Sequence, residues 1–272
     1  MIGAFLLPML VQEGHEVLAL SRACREDQQG VRWIKGDLSS PELIELPERV
    51  DVWINLTFIT LFSKSLSSLL KRVAFTQVIA FSSTSLFTKN KSINAHECKI
   101  VSDLARGEHE LRLLCEKEGV AWTVFRPTMI YCLGKDKNLS VIADEINRFR
   151  VFPLLGKGRG LRQPVHAEDL AKACVLAMYA PGNIGNKAYN LSGGEVLNYK
   201  SMVDRLFVSQ GLSPRFIHIP VVLLRLLIHC LRMLPRYRYL TPDMADRMQK
   251  DMVFSHQEAS DDFNYAPRSF QP

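Results

Sequence analysis

No two of the six cysteines (Cys24, Cys98, Cys115, Cys132, Cys174 and Cys230) form a C-x-x-C pair, and none has a metal-ligand spacing. That argues against the usual zinc modules and a disulfide framework. No metal is expected, and a reduced, cytoplasmic setting is the simpler expectation. No apolar run reaches the roughly 20 residues of a membrane span. The apolar start at 2–11 lacks the leading basic residues and cleavage site of a signal peptide, and Pro8, Gln12 and Glu13 fit one poorly. Repeats and low-complexity segments are also absent, which leaves out solenoids and disordered arrays. Basic residues outnumber acidic ones by 34 to 28, giving a net charge of +6 and a pI near 9.0. They are scattered along most of the chain, so no nucleic-acid partner is expected. Anionic small molecules or a membrane surface suit such a balance equally.

What is present is a 272-residue chain that is 47% hydrophobic, enough for one large domain or one domain with a smaller lobe. Short runs rich in Val, Ile, Phe and Trp predict strands at 15–20, 32–36, 51–57, 77–83, 122–126 and 188–191. Longer patterns predict helices at 3–13, 64–74, 100–118, 138–149, 167–179, 199–210 and 221–234. Their alternation implies an α/β fold with parallel strands and crossover helices. From about Asn198 the strand signals stop and helices dominate. The expected division is a main domain over 1–150 and a mostly separate smaller lobe over 151–272, with helix 167–179 and strand 188–191 returning to the main domain.

In such sheets, ligands bind at the carboxyl ends of the strands. The strand at 15–20 is followed by Ser21 and Arg22. An acidic residue there suits the ribose hydroxyls of NAD, whereas a Ser-Arg pair suits the 2'-phosphate of NADP, because guanidinium grips phosphate as a fork. NADP(H) is therefore favoured over NAD(H); an exposed turn arginine explains Arg22 as well. The next strand ends in "KGDLSS", where Asp37 can accept a hydrogen bond from the adenine amino group or begin a turn before Pro41.

The segments "VDVWINLT", "VIAFSSTSLF", "FRPTMIYCLG", "LRQPVHAEDL" and "AYNLSGGE" follow in order. As an ordered set they resemble the extended short-chain dehydrogenase/reductase family, and within it the NAD(P)-dependent epimerase/dehydratase branch that acts on nucleotide sugars. The resemblance covers nearly the whole chain. It implies a Rossmann-like doubly wound parallel sheet for the cofactor, with a smaller helical C-terminal substrate lobe. It also puts Gly3, Leu38, Leu56, Thr57, Pro127 and Thr128 along the cofactor, together with Ser21, Arg22 and Asp37.

Members of that family begin with a strand and a G-x-x-G-x-x-G loop before the first helix. Gly3 matches the third glycine, and only Met1 and Ile2 precede it. The expectation is a start read at an internal methionine, with a shortened protein as the alternative. Without that strand, the strands at 15–20 and 51–57 either leave a gap or pair directly.

Family members use a Tyr in Y-x-x-x-K as acid/base. The Lys lowers its pKa and holds the ribose, and a Ser or Thr on an earlier strand bonds the substrate hydroxyl. Ser83 matches that last position, with Thr84 beside it on the substrate; the hydroxyls of "SSTS" also serve local backbone groups. All seven tyrosines stand at Tyr131 or later, after the helix that should carry the pair. Counting back from Arg126, with Glu110 similar to a family glutamate, Ser102 falls at the Tyr slot and Arg106 at the Lys slot. A second register gives Ala95 and Lys99 at a longer spacing. Ser102 lacks usable acidity, while Arg106 can hold ribose hydroxyls or pair with Glu110. Other acids are His96, Glu97, Cys98 and Lys99 in "NAHECK", which also reads as a polar loop, and Tyr131, whose family counterpart is structural.

On the substrate side, the resemblance makes Arg162 the diphosphate-binding arginine, with Lys157 and Arg159 adding positive potential. His166 and Asp169 match a structural V-H-x-x-D, with acids in the first helical turn. Met129 replaces a frequent family Asn. "GKGRG" lacks the Lys-Ser/Thr ending and following helix of a P-loop, and Gly-Gly in "LSGGE" reads as a backbone turn. In 221–234, Arg225, His229 and Arg232 share one face of an otherwise apolar helix. It packs in the small lobe, at a homodimer contact, or on an anionic membrane surface as a peripheral contact. The implied partner is a nucleotide-sugar-like small molecule, bound by an epimerase-like oxidoreductase or by a non-catalytic NADP(H)-binding sensor or assembly factor.

Overall fold

A computed structural model describes residues 1–28, 30–88, 95–180, 186–220 and 249–272. The elements run α1 (Gly3–Gln12), β1 (Val17–Ser21), β2 (Val31–Lys35), a 3-10 turn (Pro41–Leu43), β3 (Arg49–Asn55), α2 (Ile59–Leu70), β4 (Ala74–Phe81), α3 (Ser85–Thr88), α4 (Ala95–Glu118), β5 (Ala121–Pro127), β6 (Ile130–Tyr131) and α5 (Leu139–Phe149). Then come β7 (Phe152–Leu155), β8 (Leu161–Arg162), β9 (Val165–His166), α6 (Ala167–Tyr179), β10 (Lys187–Leu191), β11 (Leu197–Asn198), α7 (Tyr199–Ser209), β12 (Phe216–Ile219) and α8 (Gln257–Phe263).

The main sheet has the order β10-β5-β4-β3, with every pair parallel. Strand alternation builds a core on each face. Val78 and Ala80 of β4 meet Phe62, Leu66 and Leu69 of α2 and Leu111 of α4. Ile79 and Phe81 turn the other way, toward Leu6 of α1 and Leu170, Ala173 and Cys174 of α6. The α2 stripe is fully buried, worth roughly 2 kcal/mol per large side chain. This is a doubly wound α/β fold with helices on both faces. A third cluster joins Leu139 and Ile146 of α5 to Met202, Leu206 and Phe207 of α7 and to Phe270.

β1 and β2 form a separate parallel pair. Of the two arrangements open to β1 and β3, the chain adopts the gap, with no strand of the described residues between them. Side chains join the two parts: Val17 and Ala19 share a core with Leu6 and Leu10, and Val52 and Ile54 of β3 pack against it.

Four expectations about elements are corrected. The helix expected at 64–74 lies at Ile59–Leu70, because its apolar stripe starts at Ile59 and Phe62. The segment around "AHECK" is not a loop but the start of α4, which begins at Ala95 rather than 100. Strands do not stop at Asn198: β12 pairs in parallel with β7, a four-residue strand too short to show a period. The short β6 to β9 and β11, two to four residues each, were likewise invisible as runs. The helix expected at 221–234 lies outside the described residues.

Candidate active site

The site lies at the carboxyl ends of β3, β4 and β5. At the end of β4, the Ser82 N–H donates to the Phe125 carbonyl at 2.7 Å, and the N–H and hydroxyl of Thr84 both donate to Pro127 at 3.1 and 3.0 Å. These bonds hold residues 82–84 beside Pro127 and Thr128. Ser83 Oγ accepts the Ser85 N–H at 3.1 Å, which opens α3 and leaves the hydroxyl proton free to donate. Ser82 Oγ is buried and has no hydrogen-bond partner among the described residues.

These residues line a cavity of about 770 Å³, together with Met1, Leu56, Phe58, Met129, Arg162, Gln163, Met252 and Phe254. Its remaining wall is the turn after β6, residues 135–138. Asp136 braces that turn from within. One carboxylate oxygen accepts the N–H groups of Asn138 (2.7 Å) and Ser140 (3.1 Å). The other accepts the Cys132 N–H (3.1 Å) and the Ser140 hydroxyl (2.8 Å). Burial works against its charge, but the bonds from Ser140, Asn138 and Cys132 prevail and hold the carboxyl below its usual range. Lys135 and Lys137 lie on either side of it on the cavity wall.

Of the residues expected to act, Ser83, Thr84, Leu56, Pro127, Thr128 and Arg162 come together in this cavity. Gly3 opens α1 beside it, where an added Cβ would stand 3.4 Å from Leu56 Cδ1. Ser21, Arg22 and Asp37 stand outside the cavity at the ends of β1 and β2. Ser21 Oγ accepts the Ala23 N–H, and Asp37 Oδ1 accepts the Ser39 N–H at 2.9 Å. The backbone and side-chain bonds from Ser39, then the Arg22 charge, hold the Asp37 carboxyl below its usual range. Leu38 is buried in the core beneath α2, and Thr57 is exposed, its hydroxyl donating to Asn55 Oδ1.

Ser102 and Arg106 are not brought to the cavity. Both are exposed on α4, and Arg106 pairs with Asp103 at 2.6 Å and Glu110 at 3.8 Å. Neither His96, Glu97, Cys98 nor Lys99 lines the cavity, and Lys99 pairs with Asp103. Lys157 and Arg159 are outside it too. A Tyr-x-x-x-Lys spacing does occur once, at Tyr131 and Lys135. It spans a strand end and a turn rather than a helix, and its members part. Lys135 lines the cavity, while the buried Tyr131 hydroxyl meets the backbone of Gln271.

Arg162 is buried, with one guanidinium nitrogen donating to the carbonyls of Leu161 (2.7 Å) and Lys250 (2.8 Å) and the Tyr199 ring 5.6 Å away. His166 caps α6 by accepting the Glu168 N–H, and Asp169 and Glu168 pair with Arg268 at 2.9 and 2.8 Å. Sequence reasoning passed over Lys135, Lys137, Met252 and Phe254. The lysines flanking Asp136 in "GKDKN", directly after a strand end, were the available signal.

A model of the NAD dependent epimerase/dehydratase family matches residues 1–192, and the chain belongs to that family. Among solved structures, it is similar to UDP-glucuronic acid 4-epimerase from Bacillus cereus, solved with UDP-glucuronic acid and NAD. The TM-score is 0.72 at 13% identity, covering 99% of this chain and 91% of that one. It is also similar to UDP-glucose 4-epimerase from Thermotoga maritima, with a TM-score of 0.69, 15% identity and coverage of 98% and 90%. A curated relative, an uncharacterized protein of Sinorhizobium fredii, is 24% identical over 173 residues, 61% of this chain and 42% of that protein. Another, the Arabidopsis thaliana mitochondrial NADH dehydrogenase [ubiquinone] 1 alpha subcomplex subunit 9, is 29% identical over 99 residues, 36% of this chain and 24% of that protein. The matches thus span less than half the length of these curated relatives. No helix among the described residues is long and apolar enough to cross a membrane.

Proposed function

We propose that the chain binds a nicotinamide cofactor, NADP(H) in preference to NAD(H), and acts as an oxidoreductase or epimerase on a nucleotide sugar or related glycan precursor. The observation that carries this reading is the cavity at the ends of β3, β4 and β5, in a chain of the epimerase/dehydratase family. The residues present fit a cofactor. Ser82 Oγ is a buried polar atom without a partner on the cavity wall, and Gly3 keeps the start of α1 clear beside Leu56. Arg22 makes no ion pair among the described residues and suits the 2'-phosphate, while Asp37, just past the end of β2, suits the adenine amino group.

When bound, the nicotinamide supplies the hydride acceptor. The Ser83 hydroxyl donates a hydrogen bond to a substrate oxygen, and Thr84, held on Pro127, positions that oxygen. Among the described residues the Tyr131 hydroxyl meets the backbone of Gln271 rather than the cavity, so this reading works without the family's helical Tyr-x-x-x-Lys pair. The residues over 1–150 hold the cofactor, and those over 151–272 mostly hold the substrate.

The test is titration with NADPH and separately NADH, followed by fluorescence, on wild type and Arg22→Ala. Preferential NADPH binding, lost with Arg22, supports the reading; equal binding of both removes the NADP preference, and binding of neither removes the cofactor. A second reading, a non-catalytic NADP(H)-binding sensor or assembly factor, draws on the lack of a tyrosine among the described cavity residues and on the NADH dehydrogenase subunit among the relatives. Turnover of a UDP-sugar separates the two.

A further inference from the structure

We propose that Lys135 and Lys137 form an oxyanion subsite that selects the substrate, receiving a phosphate or carboxylate group on the cavity wall formed by the turn after β6. The inference deepens the nucleotide-sugar reading and rests on it for the identity of the ligand.

Three observations carry it. First, both lysines line the cavity, and neither forms an ion pair with any described residue. Lysines that pair elsewhere in the chain, such as Lys99 and Lys200, use nearby helix carboxylates. Second, the turn is rigid. Asp136 is turned inward and closed by four hydrogen bonds, and Ser140 Oγ accepts the Gly134 N–H at 2.8 Å. The sole carboxylate among the described residues of the cavity wall is therefore spent on the turn itself, and the two ammonium groups are not neutralised by it. The backbone beneath them is fixed before a ligand arrives, which limits the ordering cost to the lysine side chains. Third, Arg162, the expected anion clamp, is already partly committed to the carbonyls of Leu161 and Lys250 and to the Tyr199 ring. Lys135 and Lys137 thus add two exposed ammonium groups to this wall beside the buried, partly engaged Arg162. A lysine is a point charge with rotatable donors, suited to either oxyanion.

The test is calorimetric titration of the full chain with UDP-glucose, UDP-glucuronic acid and inorganic pyrophosphate, on wild type, K135A/K137A and K135R/K137R, with NADPH as control. Alanine at both positions is expected to weaken anion binding about tenfold or more and to flatten its salt dependence. Arginine at both restores most of the binding, and NADPH affinity is unchanged. A loss on both sugar nucleotides and pyrophosphate assigns the subsite to phosphate; a loss on UDP-glucuronic acid alone assigns it to carboxylate. Both lysines are exposed, so the variants keep the wild-type melting curve. If wild type and K135A/K137A bind all three anions equally, the subsite is wrong and the nucleotide-sugar reading stands. If wild type binds pyrophosphate through the lysines but neither sugar nucleotide, the subsite stands and that reading falls. Binding of no anion overturns both.

Discussion

His166 shows how much one side chain can carry. Its Nδ1 accepts the Glu168 N–H at 3.3 Å, capping α6, and so must be unprotonated. Burial, then the Arg268 charge, hold its pKa below the ordinary 6.5, against the pull of Asp169 and Glu168. For a base depressed in the folded state, the unfolded chain takes the proton first. The stabilising contribution is therefore full above about pH 6.5 and fades as pH falls toward the lower folded value. Melting temperature should decline between pH 7.5 and 5, and His166→Asn, which keeps a cap without a proton to gain, should flatten the decline. An unchanged slope would assign the acid sensitivity elsewhere, His256 being the next candidate, since burial lowers its pKa too. The sequence reading had His166 and Asp169 as structural, because acids in a first helical turn announce themselves in sequence. It had no means of placing Ser102 or Arg106: their exposure follows from the rotation of α4 against α2, set by close packing of Gly107 on Ile59 and Thr60.

At the scale of elements, strands with several apolar residues were legible and two-residue strands were not. β4 and β5 betray themselves by Val, Ile and Phe runs. β6, β8 and β9 owe their existence to partners far along the chain, and they set the far wall of the cavity. That is why the wall of Lys135, Lys137 and Arg162 was only partly foreseen. The Gly-Gly turn after β10 is a backbone device, and its cause is steric. A Cβ on Gly193 would stand 1.9 Å from the Pro164 carbonyl oxygen, with no flexible atom to give way. Gly193→Ala should lose roughly 3 kcal/mol of stability, read as a lowered urea midpoint. A loss no larger than that of an ordinary surface substitution would show that 164 and 193 can separate freely.

The described residues form a doubly wound sheet in two parts, and the gap between β1 and β3 is one of the two arrangements, gap or direct pairing, that the sequence left open. Its consequence is a matter of cooperativity. In a parallel strand, alternate N–H groups point to opposite neighbours, so the β1 amides that face β3 meet no strand among the described residues. Val17 and Ala19 fasten the β1–β2 pair to α1, whereas β4 has a hydrogen-bonded strand on each side. The chain should therefore open in stages rather than all at once. Native-state hydrogen exchange should show β1 and β2 losing protection at lower denaturant than β4 and β5. Identical opening free energies in both parts would mean that α1 transmits the full stability of the main sheet across the gap.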